Sequence, residues 1–215
     1  MKTIKIATLV ILFGAVSVAA QNRQFRPSFA PIGFQGETGN VCVGDFQNPV
    51  NCTANDVLIE SFSPVSVIET CGDGTFGEAE MILQASVQSN SPDRYDIGLF
   101  VSLDANSARD GDNCLHDFFS SAEASFVDLD EDACGDITGG TTLQKTLMQI
   151  RFQCVDRDND GNADLSACSS WDNNSGSVCN GLSDAFPSTP AKCGCQILDL
   201  GIPIPVELES FSIER

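Results

Sequence analysis

The sequence predicts an all-β protein: a disulfide-stapled antiparallel β-sandwich with long calcium-binding loops. Three observations lead there. Three stretches alternate apolar and polar residues with period two, the signature of strands with one buried face. Ten cysteines, an even number that favours disulfides, all lie beyond residue 40. No segment carries a sustained helical stripe, and Asp117 to Val127 is the one ambiguous run. Short strands separated by Gly, Asn and Asp turns then call for two packed sheets.

From the N-terminus, Lys2 and Lys5 precede an apolar run from Ile6 to Val18 that ends in Ala19-Ala20 before Gln21. That is the layout of a secretory signal peptide, so residues 1–20 are set apart from the fold. The run is too short for an ordinary membrane span, and no later segment reaches the ~20 apolar residues that a bilayer requires. The expected location is therefore secreted, extracellular or at the cell surface. Residues 21–40 form an arm of different character, with Arg23 and Arg26 among Phe25, Phe29 and Phe34, spaced by Pro27 and Pro31. Prolines exclude a helix and favour an extended path, so the arm is expected to dock as an edge strand on its own domain or on a neighbouring molecule. A disordered linker is the competing reading.

The sandwich is expected over residues 41–200, a length that suits one domain with a real core. Val57 to Ile68 supplies strand material around Pro64. Ala79, Met81, Leu83, Ala85 and Val87 alternate with Glu78, Glu80, Gln84, Ser86 and Gln88. Tyr95, Ile97, Leu99, Val101 and Leu103 alternate with Asp96, Gly98 and Ser102. Thr146, Met148, Ile150, Phe152 and Cys154 alternate with Lys145, Gln149, Arg151 and Gln153. Residues 201–215 form an extended C-terminal strand or tail, which Pro203 and Pro205 confine to an edge or a connection.

The cysteines are Cys42, Cys52, Cys71, Cys114, Cys134, Cys154, Cys168, Cys179, Cys193 and Cys195. In an exported chain they are expected as disulfides. Zinc fits poorly, because there is no CxxC pair and His116 is the sole histidine. The pairing stays open, except that Cys193 and Cys195 stand too close for an easy mutual bond and should reach different partners. The formal charge of −19 becomes −21 once Lys2 and Lys5 are removed. Such a surface disfavours nucleic acid and anionic lipid, and it suits bound divalent cations.

The strongest cation signal is Asp156-Arg157-Asp158-Asn159-Asp160-Gly161-Asn162-Ala163-Asp164. A hard cation such as Ca²⁺ takes six to eight oxygens, and Asp156, Asp158, Asp160, Asn162 and Asp164 offer them at alternate positions around the bend at Gly161. An EF-hand would end on a bidentate Glu at its twelfth position. Ala167 stands there, so Asp164 is expected to close the shell instead. These nine residues resemble the aspartate-rich calcium loops of thrombospondin type 3 repeats. A second set, Asp104, Asn106, Asp110 and Asp112, leads into Cys114, and a third, Asp128, Asp130, Asp132 and Asp136, flanks Cys134-Gly135. For each of the three, a solvated polar turn is the competing reading.

Cys52-Thr53-Ala54-Asn55-Asp56-Val57, Arg94-Tyr95-Asp96-Ile97-Gly98-Leu99, Cys134-Gly135-Asp136, the aspartate ladder and Asp184-Ala185-Phe186-Pro187 together resemble a recurrent module of secreted bacterial surface proteins, often found in large adhesin-like proteins. The resemblance covers most of residues 50–195 and implies an extracellular, cell-surface β-domain rather than a defined reaction. Enzyme chemistry is not expected. Gly72-Asp73-Gly74-Thr75-Phe76-Gly77 matches GxGxxG without the strand and helix of a dinucleotide fold, and His116 lacks a nucleophile elbow. Trp171 is either a sugar-stacking platform or a packing residue. The expected role is a secreted, calcium-stabilised structural or adhesive cell-surface protein, self-assembling into fibres or a layer by strand addition from a terminal segment. Its partners would be copies of itself, other surface proteins or glycans. The alternative is a monomeric module that binds glycan or protein.

Overall fold

The structure, a computed structural model, describes residues 37–39, 42–46, 51–72, 77–111, 113–176, 178–181, 184 and 192–205. The expected signal peptide, most of the arm and the tail beyond Pro205 lie outside the described residues, as do Asp73 to Phe76 of the glycine motif. In chain order the elements are β1 (Glu37–Gly39), α1 (Val43–Phe46), β2 (Val57–Glu69), β3 (Glu78–Ser89), β4 (Tyr95–Ser102), β5 (Cys114–Phe118), β6 (Thr142–Gln153), β7 (Asn162–Asp172) and β8 (Lys192–Pro203). They form two antiparallel sheets, one ordered β2-β3-β6 and the other β1-β5-β4-β7-β8. Between them lies the main core, which includes Ile59, Met81, Leu99, Leu115, Phe152 and Trp171. The expected β-sandwich is what the chain forms.

In β3 the alternation is reproduced residue for residue: Ala79, Met81, Leu83, Ala85 and Val87 are buried, and Ile82 sits on the half-exposed face. β6 follows its expected pattern only in part. Ile150 and Phe152 face the core, but the pairing passes from Met81↔Ile150 to Leu83↔Leu147, so β6 carries one extra residue. Gln149, at φ 43°, sits in that bulge. A one-residue bulge flips every side chain beyond it to the other face. Leu143, Lys145 and Leu147 therefore point inward and Thr146 outward, the reverse of the expectation; the Met148 side chain lies outside the described residues. Buried Lys145 bridges the sheets, with its ammonium 3.2 Å from Asp117 of β5, bonded to Glu123, and donating to the Phe118 carbonyl at 2.7 Å. An ammonium out of water needs such partners.

β4 departs further, because both of its faces are buried. Phe100 points away from the main core into a second apolar layer with Cys42, Val43, Ala108, Cys114 and Cys168, so that α1 and its neighbours roof the outer face of the five-stranded sheet. There the His116 ring stacks on Phe100 with centroids 4.2 Å apart. β7 shows how much the roof hides. Ala163, Leu165, Ala167 and Trp171 face the core, while Asp164, Ser166, Cys168, Ser170 and Asp172 are buried on the opposite side. Read alone, that polar set suggests a loop or a solvent face.

All ten cysteines are paired: Cys42–Cys114, Cys52–Cys193, Cys71–Cys154, Cys134–Cys179 and Cys168–Cys195. Cys193 and Cys195 do reach different partners. Loop-closing bridges restrict the unfolded chain, each typically contributing about 2–4 kcal/mol. The last residues of the arm, Glu37 to Gly39, pair with His116 to Cys114 of the same chain, so this part of the arm serves its own domain.

Candidate metal centres

At the foot of β7, the ladder gathers Asp156, Asp158 and Asp164, whose nearest carboxylate oxygens lie within 4.8 Å of one another. Local backbone geometry builds this loop. Asp156 accepts from the amides of Asn159 at 2.6 Å, Asp160 at 3.2 Å and Gly161 at 2.9 Å. Such aspartate turns need left-handed residues, here Asn159 at φ 65° and Gly161 at φ 90°. Asp164 accepts from the Arg157 amide at 2.7 Å, and the Arg157 guanidinium ties the loop to the carbonyls of Ala105 and Asn106. Asp160 lies outside the gathered three and accepts from the Asn162 amide at 2.8 Å and from its side chain at 3.0 Å.

In the second expected set, Asp104 and Asn106 bond each other. Asp104 accepts from Ser102 Oγ and from the amide and side chain of Asn106, and Asp110 pairs with exposed Arg109. Asp112 lies outside the described residues. Among the described residues, no gathered group includes Asp104 or Asp110.

The third set divides by role. Asp128 accepts from the amides of Asp130, Glu131 and Asp132, and Asp132 accepts from those of Cys134 and Cys179, so both shape the chain around the Cys134–Cys179 bridge. Asp130 and Asp136 instead converge on Asp96 of β4, again within 4.8 Å. Asp96 lies in a bulge where β4 carries one residue more than β7, at φ 56°. Bulges re-aim side chains, and aspartate tolerates the left-handed region better than most residues. Gly135 brings the partner loop in: a Cβ there would lie 2.4 Å from that of Phe119. Asp136 then accepts from the Asp96 amide at 3.0 Å and the Leu129 amide at 2.6 Å.

This cluster is dry. Asp136 is fully buried and Asp96 is 3% exposed. Asp96 Oδ1 and both carboxylate oxygens of Asp130 are buried without a hydrogen-bond partner. Burial, followed by the charges of Asp132, Asp130, Asp172 and Asp136, pushes the Asp96 carboxyl up to about 8. Burial likewise lifts Asp136 to about 7, against the pull of the Leu129 and Asp96 amides, and it raises Asp130. Converging carboxylates without compensating cations are unfavourable unless they take up protons or a metal. The donors are all hard oxygens, which fit Ca²⁺ and not a thiophilic metal. Cys134 and Cys179 lie against Asp96 too, but their sulfurs are bonded to each other and offer no thiolate.

Asp96 escaped sequence reasoning because it occupies the polar half of an alternating strand. One signal pointed to it: aspartate is disfavoured inside strands and here stands between Tyr95 and Ile97. Comparison with protein-family models, with curated proteins and with solved structures finds no match for this chain.

Proposed function

We propose that this chain is an extracellular β-sandwich whose loops are fixed by calcium and whose role is structural or adhesive at a cell surface, with assembly through a terminal segment. The observation that carries the calcium reading is the cluster in which Asp96, Asp130 and Asp136 converge while an Asp96 oxygen and both Asp130 oxygens are buried without a hydrogen-bond partner. Five disulfides support an oxidising compartment. Among the described residues, no helix is long and apolar enough to cross a membrane. The five-bridge frame supports a structural role, and Trp171 and His116, each 1% exposed, present no face to a ligand.

Isothermal titration of the oxidised chain from Gln21 with calcium, paired with thermal unfolding, tests this reading. Saturable uptake with a raised melting temperature is expected, both diminished in Asp96→Asn. A chain that takes up no calcium and melts identically in chelator would refute it.

A further inference from the structure

We propose that the outer edge of β2, from Ser61 to Glu69, is a strand-accepting surface whose occupant is the C-terminal segment 206–215 of a second copy of this chain. The inference rests on the self-assembling reading above and names its donor and acceptor.

β2 is an edge strand, and its strand pairing among the described residues is with β3 alone. Its first turn leans on the other sheet, where Ser169 Oγ donates to the Val57 carbonyl and Gln196 to that of Ile59. Beyond Phe62 every residue of β2 is exposed. Val65, Val67 and Ile68 are 60%, 49% and 51% exposed, half of the exposed large hydrophobics among the described residues, packed into four positions of one edge. An uncovered apolar edge is a template for another strand, and this one is blunted only by Pro64, by register shifts between Pro64 and Ser66 and between Val67 and Glu69, and by Glu69 at its end. The other edges differ: β6 shows no exposed large hydrophobic among its described side chains, β8 exposes only Ile197, and β1 is a three-residue strand that covers β5.

The sequence beyond the described residues carries a match to this strand. Ile59-Glu60-Ser61-Phe62-Ser63 recurs as Leu208-Glu209-Ser210-Phe211-Ser212, identical at four of five positions. In β2, a register shift between Ile59 and Ser61 lets Ile59 and Phe62, three apart, both be buried. Leu208 and Phe211 have the same spacing, so the segment repeats side chains that this fold already uses as a strand. At ~3.3 Å per residue, ten residues span roughly 33 Å, and the nine from Ser61 to Glu69 span roughly 30 Å. Delivery to a second copy follows from the exit. The Ile204 amide still bonds the Gly161 carbonyl, and Pro203 and Pro205 restrict their preceding residues to extended geometry, which opposes an immediate reversal onto the same domain. A contact between unlike surfaces of identical chains leaves each copy with a free donor and a free acceptor, so it propagates into a filament or closes into a ring of several copies. Donor (Glu207, Glu209, Glu214) and acceptor (Glu69, with Glu60 next to its start) are both acidic, so screening by salt should strengthen the contact.

The test is light scattering in millimolar calcium on the oxidised chain 21–215, on 21–205 and on Val67→Lys, with a peptide of residues 206–215 titrated into 21–205. High-mass species are expected from 21–215 alone, increasing with added sodium chloride, and the peptide should bind 21–205 saturably but not its Val67→Lys form. Assembly that persists in 21–205 or in Val67→Lys would overturn the proposal, and so would a full chain that stays monomeric. Calcium titration of the same three proteins separates the two readings: all should keep their calcium-dependent melting shift, and its loss from all would sink the cation reading while the masses still decide the strand contact.

Discussion

The two gathered carboxylate groups stand near opposite ends of β7's roofed face, one using Asp164 and the other feeling the charge of Asp172, and they are built on opposite principles. The ladder comes from a single stretch of chain, runs from exposed Asp158 through half-buried Asp156 to buried Asp164, and has its carboxylates occupied by neighbouring backbone amides. Without a cation it remains a well-formed set of aspartate turns. The Asp96 cluster is drawn from β4 and the loop before β6, is closed off from water, and leaves oxygens unpaired. Its charge therefore has to be offset by protons or, on the reading proposed above, by a cation. A recognisable calcium pattern need not be where a cation matters most to the fold.

The largest test of that contrast is cation removal. A ligand at 100 times its dissociation constant stabilises by about 2.7 kcal/mol. For a domain of this size that predicts a melting temperature roughly 5–10 °C higher in calcium than in chelator, read by calorimetry. Asp96→Asn should abolish most of this rise, and Asp156→Asn only a minor part; equal losses would erase the distinction.

Next comes the metal-free protein, where Asp96 and Asp136 make stability depend on pH with an unusual sign. Their folded carboxyls titrate near 8 and 7, above the unfolded value of 3.8, so their contribution is complete below about pH 4 and is lost as pH rises through 7 to 8. In chelator, the melting temperature should fall between pH 5.5 and 8.5, and calcium should flatten that slope. At pH 8, Asp96→Asn should stabilise the metal-free chain by on the order of 1–2 kcal/mol, since it removes a buried charge. Below pH 4 the ordinary acid loss returns. The Arg94 hydrogen bond lowers the Asp56 carboxyl, and hydrogen bonds from Gln149 and Arg151 lower that of Glu80, so both contributions vanish on protonation.

A smaller effect belongs to the ladder. Gly161→Ala forces a Cβ onto φ 90° and should cost about 1 kcal/mol, with earlier protease cleavage within residues 156–164 and an unchanged pH slope. Smallest of all, raising sodium chloride from 0.1 to 0.5 M should weaken calcium uptake at the exposed ladder more than at the dry cluster. Titrations of Asp96→Asn and Asp156→Asn, each keeping the other site, would read the two salt dependences separately.

Much of the fold was legible from local pattern. β3 could be read because one of its faces meets the core and the other stays half-exposed. β4 was placed correctly, but Phe100 did not disclose its roof, and β7 went unread because its polar face is buried. The reversed half of β6 turns on the bulge at Gln149, which no composition rule marks. In the site, Asp130 and Asp136 stood out as acidic loop residues, yet nothing nearby in the chain ties them to Asp96.

By itself, the sequence determined the stretches that form β2, β3, β4 and β6, the commitment of the cysteines to disulfides and the aspartate ladder. Each depends on neighbours within about ten residues, where strand periodicity and turn chemistry operate. Tertiary structure alone decided which cysteines meet, that β4, β5 and β7 are covered on both faces, and that Asp96 meets Asp136 across forty residues of chain. Those outcomes follow from which segment roofs which sheet and from single-residue register shifts, quantities that exist only once the two layers have packed.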